Sequence, residues 1–355
     1  MSLATKINAL FQRHQTVVLL AVPIALAGLL ISLFGSRLLL DIYTYFCVSL
    51  GMVYGLQVFM GNSGILSWTH VGFVGVGAYI TGILVTPPAV KEMGVPNMYP
   101  ALVDLSLPVV PAILIGAVVA AALAALISYP LMRLNDFASV ITLFATLIVI
   151  HVVMTQWDNV TNGPRTFFGL PQWTTWGVAL GGALLMMLLA YWFRESGLGL
   201  KLRATRDDRH AAAAIGIDMI QTRYLGFVLS AGMAGFVGGL WALYITSFSP
   251  KSFYMAEMFL LLSMLVIGGA GGISGATVGA VVVTVARELL RQLEATINNA
   301  HMLPFDVFGL TELVMAVLMV IVLIWRPAGI IGGQELKLPR LRKKNGPAEV
   351  ERVAS

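Results

Sequence analysis

Forty-nine consecutive residues, Ile42–Val90, contain no Asp, Glu, Lys or Arg. A soluble domain cannot hide a run of that length, since surface grows nearly in step with mass. A bilayer removes the difficulty, provided every backbone polar group is bonded internally. The rest of the chain reads the same way. Further charge-free stretches cover Val17–Ser36, Leu105–Met132, Phe137–Trp157, Thr166–Phe193, Tyr224–Pro250 and Met258–Ala286, and Val307–Trp325 carries only Glu312. Charged residues make up 11% of the 355 and apolar ones 58%, against about a quarter charged in soluble proteins. The 36 glycines suit helices that approach closely in lipid.

A crossing helix needs about 20 mainly apolar residues. Two stretches are too long for one crossing. Ile42–Val90 is interrupted at Gly61-Asn62-Ser63-Gly64, and Met258–Ala286 at Gly268-Gly269-Ala270-Gly271-Gly272. Splitting at those glycines gives an all-α polytopic membrane protein of about ten helices, within a range of eight to eleven. The expected organisation is a short N-terminal segment (1–16), a transmembrane domain (17–325) containing one long polar loop (194–223), and a basic tail (326–355). Ala25-Leu26-Ala27 weakly resembles a signal-peptidase site, but the apolar run continues past it, so an uncleaved first span is expected.

Net charge is +5, yet nucleic-acid binding is not expected, because the basic residues sit in a few loops and the tail. With both termini on one side, 16 of the 22 Lys and Arg fall on that side. The exceptions are Arg37, Lys91, Arg165, Lys251, Arg287 and Arg291, placed outside or near the outer face. This asymmetry assigns both termini to the cytoplasm and brings the tail near anionic headgroups. The single cysteine, Cys47, excludes an internal disulfide and reads as a packing residue.

The polar loop Arg194–Arg223 is the longest between spans. Within it, Ala211-Ala212-Ala213-Ala214 followed by Gly216 predicts a short, smooth helix stopped by glycine. Arg206-Asp207-Asp208-Arg209 is expected to give it a mixed-charge face. Such a helix across the cytoplasmic mouth suits docking by another protein; an ordinary solvated loop is the competing reading.

This loop resembles that of permeases from branched-chain amino acid ABC importers of the LivM/LivH type. The residues that carry the resemblance are Gly199-Leu200-Lys201-Leu202-Arg203-Ala204-Thr205-Arg206-Asp207-Asp208, then Ala211-Ala212 and Ile215-Gly216-Ile217, followed by Phe227-Val228-Leu229-Ser230-Ala231. Further matches run from about residue 48 to 332. They are Gly64-Ile65-Leu66-Ser67-Trp68-Thr69-His70 with Phe73 and Gly75–Tyr79; Val160-Thr161-Asn162-Gly163-Pro164; Gly268-Gly269 with Gly275 and Gly279-Ala280; and Arg326-Pro327 with Gly329-Ile330. Departures are Thr69 and Asn162 for Gly, Ala276 for Pro, His210 where an acid is common, and Leu147 where the family often has an intramembrane Glu.

The resemblance implies a type II-like importer permease in a bacterial inner membrane. It also implies two ATPase subunits, a second permease that is a paralogue, a periplasmic or extracellular solute-binding protein, and branched-chain amino acids or similar small solutes as cargo. The implied ATPase-coupling residues are Arg203, Arg206, Asp207, Asp208, His210, Ala211, Ala212 and Gly216. The translocation path is expected near Gly64, Ser67, Thr69, His70, Gly271 and Ser274, and an outer entrance at Asn162, Gly163, Pro164 and Arg165.

Other features stay open. Gly61, Gly64, Ser67 and Gly72 recur at identical offsets as Gly268, Gly271, Ser274 and Gly279, either as a repeat of the kind transporters use or by chance in a glycine-rich chain. His70 lies in the charge-free run; a structural, hydrogen-bonded histidine is preferred over a pathway residue, and His151 has less context still. Glu257 and Lys251 are read as outer-loop charges available to a binding protein. Phe167, Phe168, Trp173 and Trp176 are read as an interfacial belt. There is no phosphate loop, no HExxH helix and no convincing metal or nucleophile cluster, so no cofactor or metal is expected and ATP hydrolysis is assigned to partners. A stand-alone secondary transporter or channel is the alternative; an intramembrane enzyme or scaffold ranks third.

Overall fold

The structure is a computed structural model that describes residues 3–299, 309–326, 328–332 and 335, with side chains from residue 15 onward. The side chains of Lys6 and Arg13, Pro327 and the basic tail 336–355 lie outside the described residues. Among the described residues there are ten principal apolar helices, within the expected range. They are α1 (Leu3–Phe34), α2 (Arg37–Leu56, prolonged by a π-turn over Gln57–Gly61), α3 (His70–Val85), α4 (Val109–Leu131), α5 (Asp136–Gln156) and α6 (Trp176–Glu195). After two short polar helices, α7 (Gly197–Asp207) and α8 (Arg209–Ala214), come α9 (Met219–Ile245), α10 (Met255–Gly268), α11 (Ile273–Asn299) and α12 (Leu310–Trp325).

Among the described residues, eight stretches, in α1, α2, α4, α5, α6, α9, α10 and α11, are long and apolar enough to cross a bilayer. The other two, α3 and α12, have 16 residues each, or about 24 Å of helix against a hydrocarbon core of about 30 Å. Non-helical backbone completes the layer beside α3: residues 64–67 carry no helix and lie against protein, where such backbone is tolerated.

Two helix limits differ from expectation. Helix α1 starts at Leu3 rather than near residue 17, because Thr5–Gln15 is polar yet contains no Gly or Pro to stop a helix. Helix α11 continues to Asn299, since no Gly or Pro interrupts Val281–Asn299 and Arg291 pairs with Glu288 one turn away at 2.8 Å. Arg287 and Arg291 are therefore helix residues.

Contacts sort the connections into two ends. At one end Arg206 reaches Gly61, Asp136 pairs with Arg209 and Arg223, and Ile330 and Ile331 bond the carbonyls of Ile267 and Gly268. At the other, Phe167 and Phe248 form an antiparallel bridge and Leu107 bonds Leu84. The first end collects Arg133, Arg194, Lys201, Arg203, Arg206, Arg209, Arg223 and Arg326, and is called here the basic end.

The core sits where α3, α4 and α9 meet backbone to backbone. A Cβ on Gly77 of α3 would overlap the Gly235 carbonyl of α9, and one on Gly116 of α4 would lie 2.9 Å from the Gly77 carbonyl. In lipid the gain comes from this close dispersion contact rather than from expelled water. Around it the helices are greasy outward: Leu126 is 78% and Val118 67% exposed on α4, as surfaces facing hydrocarbon are.

Candidate functional site

At the basic end, the polar loop folds as two helices rather than the single one expected. Ser196 caps α7 by accepting from the Gly199 N–H at 3.2 Å, and Leu202 is fully buried under it. Asp208 then breaks the helix and caps α8, its carboxylate accepting from the His210 and Ala211 N–H groups at 2.8 and 3.0 Å. Those two donors hold the Asp208 carboxyl below the usual aspartate range. Gly216, with φ of +79°, ends α8 as anticipated; its N–H bonds Ala213 and that of Ile217 bonds Ala212, closing the left-handed glycine turn.

The charges do not form one docking face. Arg206 donates to the Gly61 carbonyl at 2.6 Å, Arg209 pairs with Asp136, Arg203 donates to the Arg194 carbonyl at 2.9 Å, and Asp208 is occupied as the cap. Ala212 is buried. What remains outward is a small-residue knob: His210, Ala211, Ala213, Ala214, Ile215 (75% exposed) and Gly216, with Asp207 beside it.

Directly beneath lies the meeting point of the two glycine interruptions. A methyl on Gly61 would strike the Ala270 carbonyl, and one on Gly64 (φ +74°) would lie 3.0 Å from the Arg206 side chain. The matched glycine positions are thus apposed in space. Of the residues expected to line a path, Ser67, Thr69, His70 and Ser274 are buried, Gly271 is half-buried and Gly64 is exposed. Ser67 and Thr69 are fully buried, and Thr69 donates to the Leu143 carbonyl at 2.7 Å. His70 is 1% exposed, bonded through Nδ1 to Ser67 at 2.8 Å and through Nε2 to Ser230 at 2.7 Å. Phe59, Phe73 and Phe227 surround its ring. Both ring nitrogens are satisfied, as a structural histidine requires.

One residue escaped sequence reasoning. Glu335, read as part of the basic tail near anionic headgroups, places its carboxylate at the N-terminus of α11. It accepts from the Ile273 N–H at 2.9 Å, the Ser274 N–H at 3.1 Å and the Ser274 hydroxyl at 2.6 Å. It also pairs with Arg194 at the end of α6, both side chains being about nine-tenths buried. Thus Ser274, Arg194, the second glycine break and the chain beyond α12 share one anion at a helix start.

At the opposite end, Asn162 (φ +66°) and Gly163 (φ +60°) are both left-handed and buried, holding a turn that exposes Pro164 and Arg165. The expected aromatic belt is only partly one. Phe167 is 2% exposed, stacked on Phe248 and set edge-on to Tyr79, whereas Phe168 and Trp173 face outward. Its backbone pairing with Phe248 draws it inside. Lys91 is buried and caps the short helix Pro100–Val103, donating to the carbonyls of Leu102, Val103 and Leu105; burial pushes its ammonium below the usual lysine value, opposed by Asp104. Glu257 is not a free loop charge: it lies in the first turn of α10 and accepts from the Tyr45 hydroxyl at 3.3 Å. Among the described residues, no group of three or more His, Cys, Asp and Glu is arranged to hold a metal ion.

A polytopic bundle of apolar helices, with two glycine breaks meeting under a small exposed knob at the basic end, has the architecture of a membrane permease. Residues 36–323 match the family model described as branched-chain amino acid transport system / permease component, and the chain belongs to that family. It is 28% identical to the high-affinity branched-chain amino acid transport system permease protein LivM of Escherichia coli, over 90% of this chain and 75% of that protein. It is 24% identical to the probable LivM permease of Methanocaldococcus jannaschii, over 79% and 84%. Against LivH of Salmonella typhimurium it is 29% identical over 43% and 46%. No solved structure matches it.

Proposed function

We propose that this chain is the LivM-like half of a permease pair in an ATP-binding cassette importer, moving branched-chain amino acids or a similar small organic solute. The observation that carries the coupling part is the bond from Arg206 to the Gly61 carbonyl. It ties the loop bearing the exposed α8 knob to the apposed glycine breaks. A force on α8 would therefore be delivered where the helices of the bundle are interrupted.

In this reading the basic end faces the cytoplasm, with both termini there, in a bacterial inner membrane. Two ATPase subunits dock beneath, one on α8 of this chain and one on the matching loop of a paralogous permease. ATP hydrolysis belongs to those subunits. A solute-binding protein docks at the opposite end, where Pro164, Arg165 and Lys251 are exposed. The closed contact between Gly61 and Ala270 is the cytoplasmic closure, which opens when the ATPases move α8.

The test uses the outward side of α8, because Arg206, Arg209 and Asp208 have internal partners. Ile215→Asp places an unpaired charge on the knob without disturbing those bonds. Loss of ATPase pull-down together with loss of solute uptake is expected. Unchanged pull-down and uptake would refute docking at α8.

A further inference from the structure

Near the opposite end, three cavities converge on one side chain. Arg287 of α11 lines a cavity of about 490 Å³ between α10, α11 and α12, another of about 250 Å³ towards α2, and a third of about 340 Å³ between α11 and α12. A guanidinium has five N–H donors. Here one nitrogen, Nη1, is bonded, to the Tyr45 hydroxyl, and the charge lies over that ring at 5.1 Å from its centroid. Tyr45 passes the contact on to Glu257 at 3.3 Å. Among the described residues, Arg287 makes no direct ion pair with any carboxylate, although Glu257 and Glu312 line the first of these cavities. A cation and an anion within a membrane-embedded bundle, bridged through a tyrosine instead of paired directly, point to a functional site.

The cavity is graded along its depth. Glu257 and Glu312 stand in the first turns of α10 and α12. Leu260 and Met315, one turn further in, carry the lining to apolar side chains, with Phe259 and Ala316 beside them. The volume falls within the range of about 300–1,000 Å³ usual for small-molecule sites. A ligand that fits has an anion and a cation adjacent at one end and a branched apolar group at the other.

We propose that this cavity is a binding subsite for a free α-amino acid with an apolar side chain. Arg287 takes the carboxylate through its unbonded N–H groups, Glu257 or Glu312 takes the ammonium, and the side chain points towards Leu260 and Met315. The subsite lies on the entry side of the closed glycine junction, so it would hold solute before the cytoplasmic side opens. This deepens the cargo reading proposed above and rests on it.

The test uses the complete importer in native membranes, with the diazirine analogue of leucine as photoprobe and mass spectrometry of the cross-linked peptides. Cross-links are expected within 255–263 and 311–316, suppressed by excess L-leucine. Competition by 4-methylpentanoate, which lacks the ammonium, or by 3-methylbutylamine, which lacks the carboxylate, is expected to be weaker by about tenfold or more, as loss of one charge-assisted hydrogen bond implies. Arg287→Gln is expected to reduce the cross-link by about the same factor. Because Arg287 also anchors Tyr45, Ala316→Phe provides a second variant that fills the cavity and leaves every charge in place; it is expected to lower both cross-linking and L-leucine uptake. Leucine-protected cross-links found only elsewhere, or normal uptake by Ala316→Phe, would overturn the subsite while leaving the cargo reading intact. Failure of the wild-type importer to take up L-leucine would overturn the cargo reading and the subsite with it.

Discussion

Removing the Glu335 carboxylate is expected to destabilise the chain more than any other single change outside the glycine core. Three donors from Ile273 and Ser274 converge on this group, and Arg194 supplies its counter-charge. Both charged side chains are about nine-tenths buried, so solvent screening is a small discount. Truncating one partner of a buried pair costs about 3–5 kcal/mol, chiefly because the other charge is left unpaired. Loss of the helix-start acceptor is contained within that figure rather than added to it, since the same oxygens serve both roles. Glu335→Ala should therefore lower the unfolding free energy by about 3–5 kcal/mol, and Glu335→Gln by less, because an amide oxygen can still accept one N–H. The assay is equilibrium unfolding of the purified chain in mixed micelles across a denaturing-detergent titration. Arg194→Met and the double variant complete the cycle, and a coupling energy of about 1.5 kcal/mol or more is expected for groups in direct contact. A Glu335→Ala variant within about 0.5 kcal/mol of wild type, the range of an ordinary surface change, would refute the buried pair.

Gly77→Ala should cost about 1–3 kcal/mol by forcing α3 and α9 apart, whereas Gly181→Ala, with open space around its Cβ position, should be neutral in the same titration. His70→Ala leaves the Ser67 and Ser230 hydroxyls without their ring partner and should cost about 2 kcal/mol or more; equal stability would show that water replaces the ring. Asp208 has its folded carboxyl below the usual value, so its cap is fully present above an unfolded pKa of about 3.9 and is lost as pH falls through the lower folded value. A spin label at Ile215→Cys, the native Cys47 being fully buried, should therefore gain mobility on acidification. Asp208→Asn should abolish that pH dependence.

The spans were legible because lipid imposes a local rule, the absence of charge over about 20 residues, that needs no knowledge of tertiary contacts. The α8 helix was legible for a similar reason, four alanines with a glycine stop. The separate helix α7 was not, since Leu198 and Leu202 declare an inward face only once α9 is packed against them. The direction of Arg206 was hidden likewise: its partner Gly61 is 145 positions away, and no local pattern encodes that bond. Glu335 sat in a stretch whose composition reads as tail, and its donors lie 61 and 62 positions earlier. The recurrence of Gly61 and Gly268 was visible in one dimension, but only folding shows that the two breaks touch. Arg287 was read as lying outside or near the outer face because a change from apolar to charged residues looks like a span end, and helix α11 continues for three turns beyond it.

The most direct measurement is uptake of labelled L-leucine into proteoliposomes holding this chain, its partner permease and the ATPases, with the binding protein and leucine outside. Accumulation is expected only when ATP is supplied on the ATPase side, and should fall to background when Ile215→Asp is the sole change. Undiminished accumulation without the ATPases, driven by a proton or sodium gradient alone, would contradict a permease whose cytoplasmic knob is moved by another protein.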